Sequence, residues 1–248
     1  MLAVDDAWEN FINDTPNKKV DHEEKDEFEI NDEDIPKCSE IYISTQTKIA
    51  YLNKPIDLDA VFWKIPVLPY QQEGVGTVKK QMKVNCVTKQ EVEVLEAKLK
   101  ETEGILIVDI ISQIDSPDAR KVKFKDVRKI NVGLSKKDLT SYRTKRKGAF
   151  YNCFVLIIRI KNGDKYKESH LKIFNTGKLE IPGIQSSEYL YKVLDTLVSI
   201  LQPHCTDQLE WKKEDIDTVL INSNFTCNYY IDRDLLAHRL KYNYNIHV

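Results

Sequence analysis

One stretch of the sequence, residues 150–201, constrains the fold more than any other, because strand, turn and helix signals follow one another there without a gap. β-Branched and aromatic side chains favour strands, and Asn-Gly favours the tight turn of a hairpin. The predicted elements are a strand at 150–160, a turn at Asn162-Gly163, a return strand at 170–174, a turn at 175–178, a third strand at 179–181, and a helix at 187–201 that Pro203 ends. This order predicts an α+β fold in which an antiparallel meander carries an amphipathic helix on one face.

A second strand-and-helix signal lies near the start of the folded region and recurs later. Residues 41–50 predict a strand, after which Asp57 caps a short helix over 58–65. The segment 56–65 aligns with 231–240, an offset of 175 positions, and both segments read Ile-Asp-x-Asp before an apolar helix. The shared order favours an internal duplication. A chance recurrence of a common helix start is the alternative.

Residues 71–149 are predicted to be a charged insertion between these two parts. Thr88 and Glu91 have capping-box spacing at the start of a helix that Gly104 closes. The other predicted elements are an apolar strand at 105–111 and a hairpin of 122–127 with 129–134.

Three motifs in the meander carry a resemblance to a known family. They are Cys-Phe-Val-Leu-Ile-Ile-Arg-Ile at 153–160, Ile-Phe-Asn-Thr-Gly-Lys at 173–178, and Pro182-Gly183 before the long helix. Together they resemble the central signature of the TATA-box-binding-protein repeat, and they are most similar to the divergent versions encoded by nucleocytoplasmic large DNA viruses, the giant viruses. The resemblance covers about residues 40–65 and 150–202, and 218–245 as the start of a second repeat.

The resemblance implies a saddle-shaped antiparallel sheet with helices on its convex face and duplex DNA in a widened minor groove against its concave face. The positions that wedge between base steps fall on Phe174 and Cys153, and Phe154 lies beside the second of these. Arg159 and Lys178 match family positions near the phosphates. The alternative for Phe174 is an ordinary core aromatic, and the alternative for the two bases is a solvated charge on a strand.

The sequence also departs from the family pattern. The asparagines that read the central base pairs in the family fall on Ile41 and Val219, and Glu180 stands where an apolar residue faces the groove. These differences leave general DNA binding more strongly predicted than selectivity for TATA sequences.

The charge of the chain is divided unevenly. Residues 1–34 hold thirteen acids and three lysines, which leaves 26 acids and 34 bases for the rest of the chain. Residues 1–37 are predicted to be a mostly disordered acidic tail, which either solubilises the chain or competes with DNA for the basic body. Residues 120–147 hold twelve bases and two acids. From this run Arg143, Lys145, Arg146 and Lys147 are predicted to contact phosphate, with a solvated loop as the alternative.

No pattern of catalytic or metal-ligating residues is found in the sequence, so we predict neither an enzyme nor a cofactor. Asp57/Asp59 and Asp232/Asp234 are explained by helix capping. The five cysteines are scattered, which favours reduced thiols in a cytosolic or nuclear compartment. No signal peptide and no membrane span are predicted.

The resemblance therefore implies a viral transcription-initiation factor that binds duplex DNA and RNA polymerase or other initiation factors. Its expected location is the site of viral transcription in the host cell, or the virion. The alternative is a protein-interaction module that keeps the saddle fold without binding DNA. The predicted organisation is an acidic tail at 1–37, a first repeat at 38–203, and an incomplete second repeat at 204–248, through which the chain is expected to self-associate.

Overall fold

The computed structural model describes residues 36–141 and 151–247. Within these residues the chain forms eight strands, five α-helices and two short 3-10 helices. The strands are β1 Tyr42–Tyr51, β2 Gly76–Cys86, β3 Leu106–Asp115, β4 Phe124–Gly133, β5 Cys153–Asn162, β6 Lys165–Phe174, β7 Lys178–Ile184 and β8 Asp217–Asn224. The α-helices are α1 Leu58–Lys64, α2 Lys89–Lys100, α3 Lys136–Thr140, α4 Ser187–Leu201 and α5 Arg233–Tyr244.

All eight strands belong to one antiparallel sheet, in the order β3-β4-β2-β5-β6-β7-β1-β8. The predicted meander is confirmed, since β5, β6 and β7 are neighbours in the sheet. The strand predicted at 41–50 is also confirmed, and it joins the meander by pairing with β7. The fold is therefore of the predicted α+β class with an antiparallel sheet.

One face of the sheet packs against helices and forms the core. On β5 the side chains of Phe154, Leu156 and Ile158 are fully buried on this face, in one hydrophobic cluster with α1, α2 and α4. Helix α4 spans the predicted residues, and the hydroxyl of Ser186 caps it by accepting from the backbone N–H of Tyr189 at 3.2 Å. Its buried positions are Tyr189, Leu190, Val193, Leu194, Leu197 and Leu201. We call this side of the sheet the helical face.

The two aspartates of the predicted repeat cap helices in the same way. Asp57 begins α1 with φ −73° and ψ 98°, and Asp232 begins α5 with φ −72° and ψ 106°. Each carboxylate accepts from a backbone N–H three residues later, at 3.1 Å from Ala60 and at 3.0 Å from Leu235. The capping interpretation of these aspartates is confirmed.

The hairpin predicted for residues 122–134 is wrong. Residues 124–133 instead form the single strand β4, which pairs with β2 on one side and with β3 on the other. Arg128 is the only residue between the two predicted arms, whereas a tight hairpin turn needs two residues, usually with positive φ. Pairing on both edges also satisfies the backbone groups of β4 along its length.

One further prediction is corrected in detail. The first turn of the meander is Gly163-Asp164 rather than Asn162-Gly163, because Asn162 still pairs with Lys165 and Gly163 has φ 62°. The segment 71–149, predicted to be an insertion, contributes β2 to the sheet between β4 and β5.

The contacts divide the described residues into two units. Residues 40–226 form a large unit that contains the whole sheet, and residues 36–39 with 227–247 form a small unit that contains α5. The boundary between these two units in the second half of the chain falls after Thr226. None of the helices in the described part of the chain is long and apolar enough to cross a membrane.

Candidate nucleic-acid interface

The face of the sheet opposite the helical face, which we call the open face, carries the candidate site. On β5 it presents Cys153, Val155 and Ile157, because side chains alternate along a strand. Directly across on β6 lie Phe174, Lys172 and His170, in the same order.

Phe174 and Cys153, the two predicted wedge positions, are direct cross-strand partners on the open face. Phe174 is partly exposed, whereas Cys153 is 4% exposed. Burial raises the pKa of the Cys153 thiol, so this group behaves as a small neutral side chain. The ammonium of Lys178 lies 6.0 Å from the centre of the Phe174 ring. The structure thus brings three of the predicted site residues together.

The turn between β6 and β7 fixes the position of Phe174. The Gly177 N–H donates to the carbonyl of Phe174 at 3.0 Å, and Gly177 has φ +85°. The backbone carbonyl of Gly177 accepts from the N–H of Leu52 at 2.9 Å, and the carbonyl of Asn175 accepts from the N–H of Ile56 at 2.9 Å. A side chain at position 177 would place its Cβ 2.6 Å from the Lys54 carbonyl oxygen. Only glycine allows this close approach of the two backbones.

Tyr51 is a residue of this site that the sequence reasoning missed. It is the cross-strand partner of Lys178 on the neighbouring strand β1, and it is 41% exposed. An aromatic side chain beside Lys178 adds a surface on which a base or sugar can pack. The alternation of side chains along β1 places Tyr51 on the open face, but only the register of β1 against β7 shows that it lies beside Lys178.

Acidic and basic groups balance each other next to the site. Glu180 lies on the open face as predicted, and its carboxylate accepts from the ammonium of Lys172 at 2.6 Å. Both side chains are about a quarter exposed, at 29% and 27%. The pair is therefore close to neutral. Glu180 offsets the charge of Lys172 and does not offset that of Lys178.

Arg159 and Phe154 take structural positions instead. The guanidinium of Arg159 is buried and donates to the carbonyls of Gln72 at 2.8 Å and Tyr70 at 3.1 Å. It lies 5.0 Å from the Tyr70 ring, so it holds the segment that leads into β2. Phe154 is fully buried on the helical face, where its ring centre is 5.9 Å from that of Phe62. Phe154 is therefore not accessible to a ligand in this conformation, and the guanidinium of Arg159 is engaged by its backbone partners.

The four predicted phosphate contacts of the basic run lie outside the described residues; they are Arg143, Lys145, Arg146 and Lys147. The flanking residues are on the open face. Ser141 lines a cavity there, and the ammonium of Lys83 on β2 lies 3.5 Å from the centre of the Tyr151 ring.

Helix α3 lies against the open face and covers part of it. The Asp138 carboxylate binds the ammonium of Lys79 at 2.8 Å and accepts from the N–H and the hydroxyl of Ser135 at 2.8 and 2.6 Å. Burial by itself would raise the pKa of Asp138, but these hydrogen bonds from Lys79 and Ser135 lower it below its ordinary value. The Lys136 N–H donates to Glu168 on β6 at 2.9 Å. Helix α3 is therefore held at both β2 and β6.

A cavity of about 440 Å³ lies between α3 and the sheet. Beneath α3, the open-face residue Ile157 is only 5% exposed. The uncovered part of the open face therefore lies toward Phe174, Lys178 and β1. Among residues 36–141 and 151–247, no group of three or more His, Cys, Asp or Glu side chains is placed to hold a metal ion.

No family model matches the sequence, and no curated protein and no solved structure matches it.

Proposed function

We propose that this chain is a DNA-binding transcription-initiation factor of the TATA-box-binding-protein type, with the open face of its sheet as the DNA surface. The observation that carries the proposal is the direct pairing of Phe174 with Cys153 on the open face, opposite α1, α2 and α4, with Lys178 beside them. Those are the positions that the sequence resemblance assigns to the wedge and to a phosphate contact.

The strand order supports the same proposal. The five neighbouring strands β2-β5-β6-β7-β1 agree with one repeat of the saddle fold. In chain order, α1 follows β1, the first of these strands, and α4 follows β7, the last of them. In that arrangement α2, β3 and β4 belong to the insertion, and the two strands β3 and β4 extend the sheet beyond β2.

The pairing of β1 with β8 supports an internal duplication. Tyr42 pairs with Asn224 and Ile49 pairs with Asp217. Asp217 lies 175 positions after Tyr42, and Asn224 lies 175 positions after Ile49, the same offset as between the aligned helices. Each strand therefore meets its proposed copy in a two-fold symmetric register, as expected for two repeats joined edge to edge.

The chemistry of the uncovered surface suits a minor groove. An apolar wedge such as Phe174 costs a few kcal/mol of base unstacking, which the bent duplex offsets by contacting more protein. Lys178 and Tyr51 next to it provide a phosphate contact and a flat apolar surface. Duplex affinity should therefore depend strongly on salt.

Two substitutions separate the roles of the wedge and the base. Phe174→Ala is expected to reduce duplex bending, measured as energy transfer between dyes on the two duplex ends. Lys178→Ala is expected to weaken binding roughly three- to tenfold at low salt on all sequences alike, and to make the salt dependence shallower by about one counterion. Lys192→Ala, an exposed lysine on α4 paired with Glu188, is the matched control and should change neither quantity.

If bending and affinity are unchanged in both Phe174→Ala and Lys178→Ala, the open face does not bind DNA in the proposed way. A loss of affinity equal to that of Lys192→Ala would mean that Lys178 contributes only general charge.

A second candidate function is a protein-interaction module that keeps the fold without binding DNA. The cover formed by α3 and the neutral Lys172–Glu180 pair favour it, because both reduce the positive surface available to phosphates. The exposed apolar side chains of β1 and β8 provide a surface for initiation factors or for a second copy of the chain; they are Tyr42, Ile43, Val219, Leu220 and Ile221.

Loosening α3 distinguishes the two functions. Asp138→Ala removes the ion pair with Lys79 and the contacts with Ser135, so α3 is displaced more easily from the open face. If DNA binds that face, duplex affinity should rise about three- to tenfold. Displacing α3 then costs less free energy, and the Lys79 ammonium becomes available to contact a phosphate. Asp115→Ala, which breaks the exposed pair with Lys89, is the control and should leave affinity unchanged. Equal affinity of the Asp138 and Asp115 variants would favour the interaction module.

A further inference from the structure

Two of the five cysteines, Cys38 and Cys227, contact each other through their side chains in the small unit. A hydrogen bond holds their chain segments together, since the side-chain amide of Asn228 donates to the backbone carbonyl of Lys37 at 2.7 Å. Residues 37–38 and 227–228 therefore lie side by side although 189 positions separate the two cysteines.

The two thiols flank the ends of a strand pair. Cys38 precedes β1 by four positions, and Cys227 follows β8 by three. Strand β8 pairs only with β1 among the described strands, and every residue of β8 is exposed. The attachment of β8 to the sheet thus depends on one ladder, which begins at the pair Tyr42 and Asn224.

The other three cysteines differ in access or in neighbours. Cys86 and Cys153 are buried at 3% and 4% exposure, and Cys205 is partly exposed near Asp207 and Lys64. Cys38 is exposed and Cys227 is partly exposed. Thiol–disulfide exchange needs an accessible thiolate and a second thiol within reach, and Cys38 with Cys227 meet both conditions.

We propose that Cys38 and Cys227 are a redox-responsive pair, which a small-molecule disulfide such as oxidised glutathione converts into a reversible intrachain disulfide. In the first step the Cys38 thiolate attacks one sulfur of the small disulfide, forms a mixed disulfide and releases one equivalent of the small thiol. The Cys227 thiolate then attacks Cys38 Sγ and releases the second equivalent. Two protein thiols are oxidised, one small disulfide is reduced to two thiols, and a thiol reductant reverses the reaction.

The order of these steps follows from exposure. Partial burial and the neighbouring Cys38 raise the pKa of the Cys227 thiol, so less of it is thiolate at neutral pH. The exposed Cys38 thiol is therefore the group that meets the small disulfide first, and Cys227 resolves the intermediate.

The test oxidises the full chain with oxidised glutathione under native conditions, blocks the remaining thiols, and digests with trypsin without reductant. Cleavage at Lys and Arg gives peptides 38–48 and 214–233, each with one of the two cysteines. These two peptides should be recovered as one linked species that a reductant separates, with the loss of two of the five free thiols. Hydrogen exchange in the backbone of β8 should slow on oxidation.

Matched variants make the assignment specific. Cys38→Ser and Cys227→Ser should each abolish the linked species and the slower exchange, whereas Cys205→Ser should leave both unchanged. A chain unfolded in urea gives the linkage expected from random encounters, and the native chain should exceed it several-fold. The proposal is overturned if oxidation stops at a mixed disulfide on Cys38, if the link joins two chains, or if native and unfolded chains form the 38–227 link equally.

Discussion

Replacing Lys80 with alanine is expected to lower the free energy of unfolding by roughly 3 kcal/mol at pH 7, as measured by urea denaturation. The Lys80 ammonium, on β2, is buried and donates to the carbonyls of Phe62 and Ile65, both at 2.7 Å, and of Trp63 at 3.3 Å. These carbonyls lie at the C-terminal end of α1, where no helical N–H is available to them. The substitution leaves them without this donor and removes the packed stem of the side chain.

The same lysine makes stability depend on pH. Burial lowers the pKa of Lys80 from its ordinary value of 10.5 to about 8. Between these two values the unfolded chain binds more protons at this position than the folded chain, so folding becomes more favourable as the pH rises. The gain is at most about 1.4 kcal/mol per pH unit. Urea denaturation at pH 7, 8, 9 and 10 should therefore show the difference between wild type and Lys80→Ala widening above pH 8.

Lys83→Ala is the matched control for both measurements. Lys83 lies on the same strand, but its ammonium contacts the Tyr151 ring on the open face. Its replacement should cost less than about 1 kcal/mol. Equal effects of Lys80→Ala and Lys83→Ala, or a constant difference between wild type and Lys80→Ala above pH 8, would contradict the role given to Lys80.

Gly177→Ala is expected to destabilise the fold by about 2–4 kcal/mol and to displace Phe174 from the open face. The new methyl group would lie 2.6 Å from the carbonyl oxygen of Lys54, and φ +85° is itself unfavourable for alanine. Relief requires the turn to move away from residues 52–56, which carries Phe174 with it. Gly163→Ala is the control, because Gly163 has φ +62° but no atom within 4 Å of the added group, so only about 1 kcal/mol of backbone strain remains.

Thermal unfolding and the duplex-bending assay should both separate the two glycine variants. Gly177→Ala should lose stability and bending together, and Gly163→Ala should keep bending. If Gly177→Ala is as stable as Gly163→Ala, the backbone contact at Lys54 yields more easily than its geometry implies.

Local signals predicted most elements of the fold. The spacing of leucines and valines gave the bounds of α4, and the two glycine turns gave the meander, because turn chemistry and side-chain periodicity are properties of neighbouring residues. The predictions failed where the structure depends on residues that are distant in the sequence. The segment that forms β4 was predicted as two arms of a hairpin, because no residue near Arg128 indicates that its backbone hydrogen bonds go to β2 and β3.

The candidate site was predictable in part for a related reason. The hairpin between β5 and β6 sets the register that places Phe174 opposite Cys153, but only with its turn at Gly163-Asp164, since the predicted turn at Asn162-Gly163 would have placed Lys172 there. The carbonyls that capture Arg159 come from Tyr70 and Gln72, far away in the sequence, and periodicity carries no information about them. For the same reason α3 was not expected on the open face.

The place of β1 in the sheet has a consequence for how the chain folds during synthesis. β1 is translated before every other described strand, yet its partners are β7 and β8, and Tyr42 can pair with Asn224 only after the chain as far as β8 has left the ribosome. Such distant pairing is slow, whereas the β5–β6–β7 hairpins join neighbours and form early. The nascent chain therefore carries β1 with both edges unpaired until β7 has emerged. The thirteen acids of residues 1–34 precede that strand in the chain, and we expect their repulsion between neighbouring nascent chains to disfavour pairing of the exposed strands until the sheet closes.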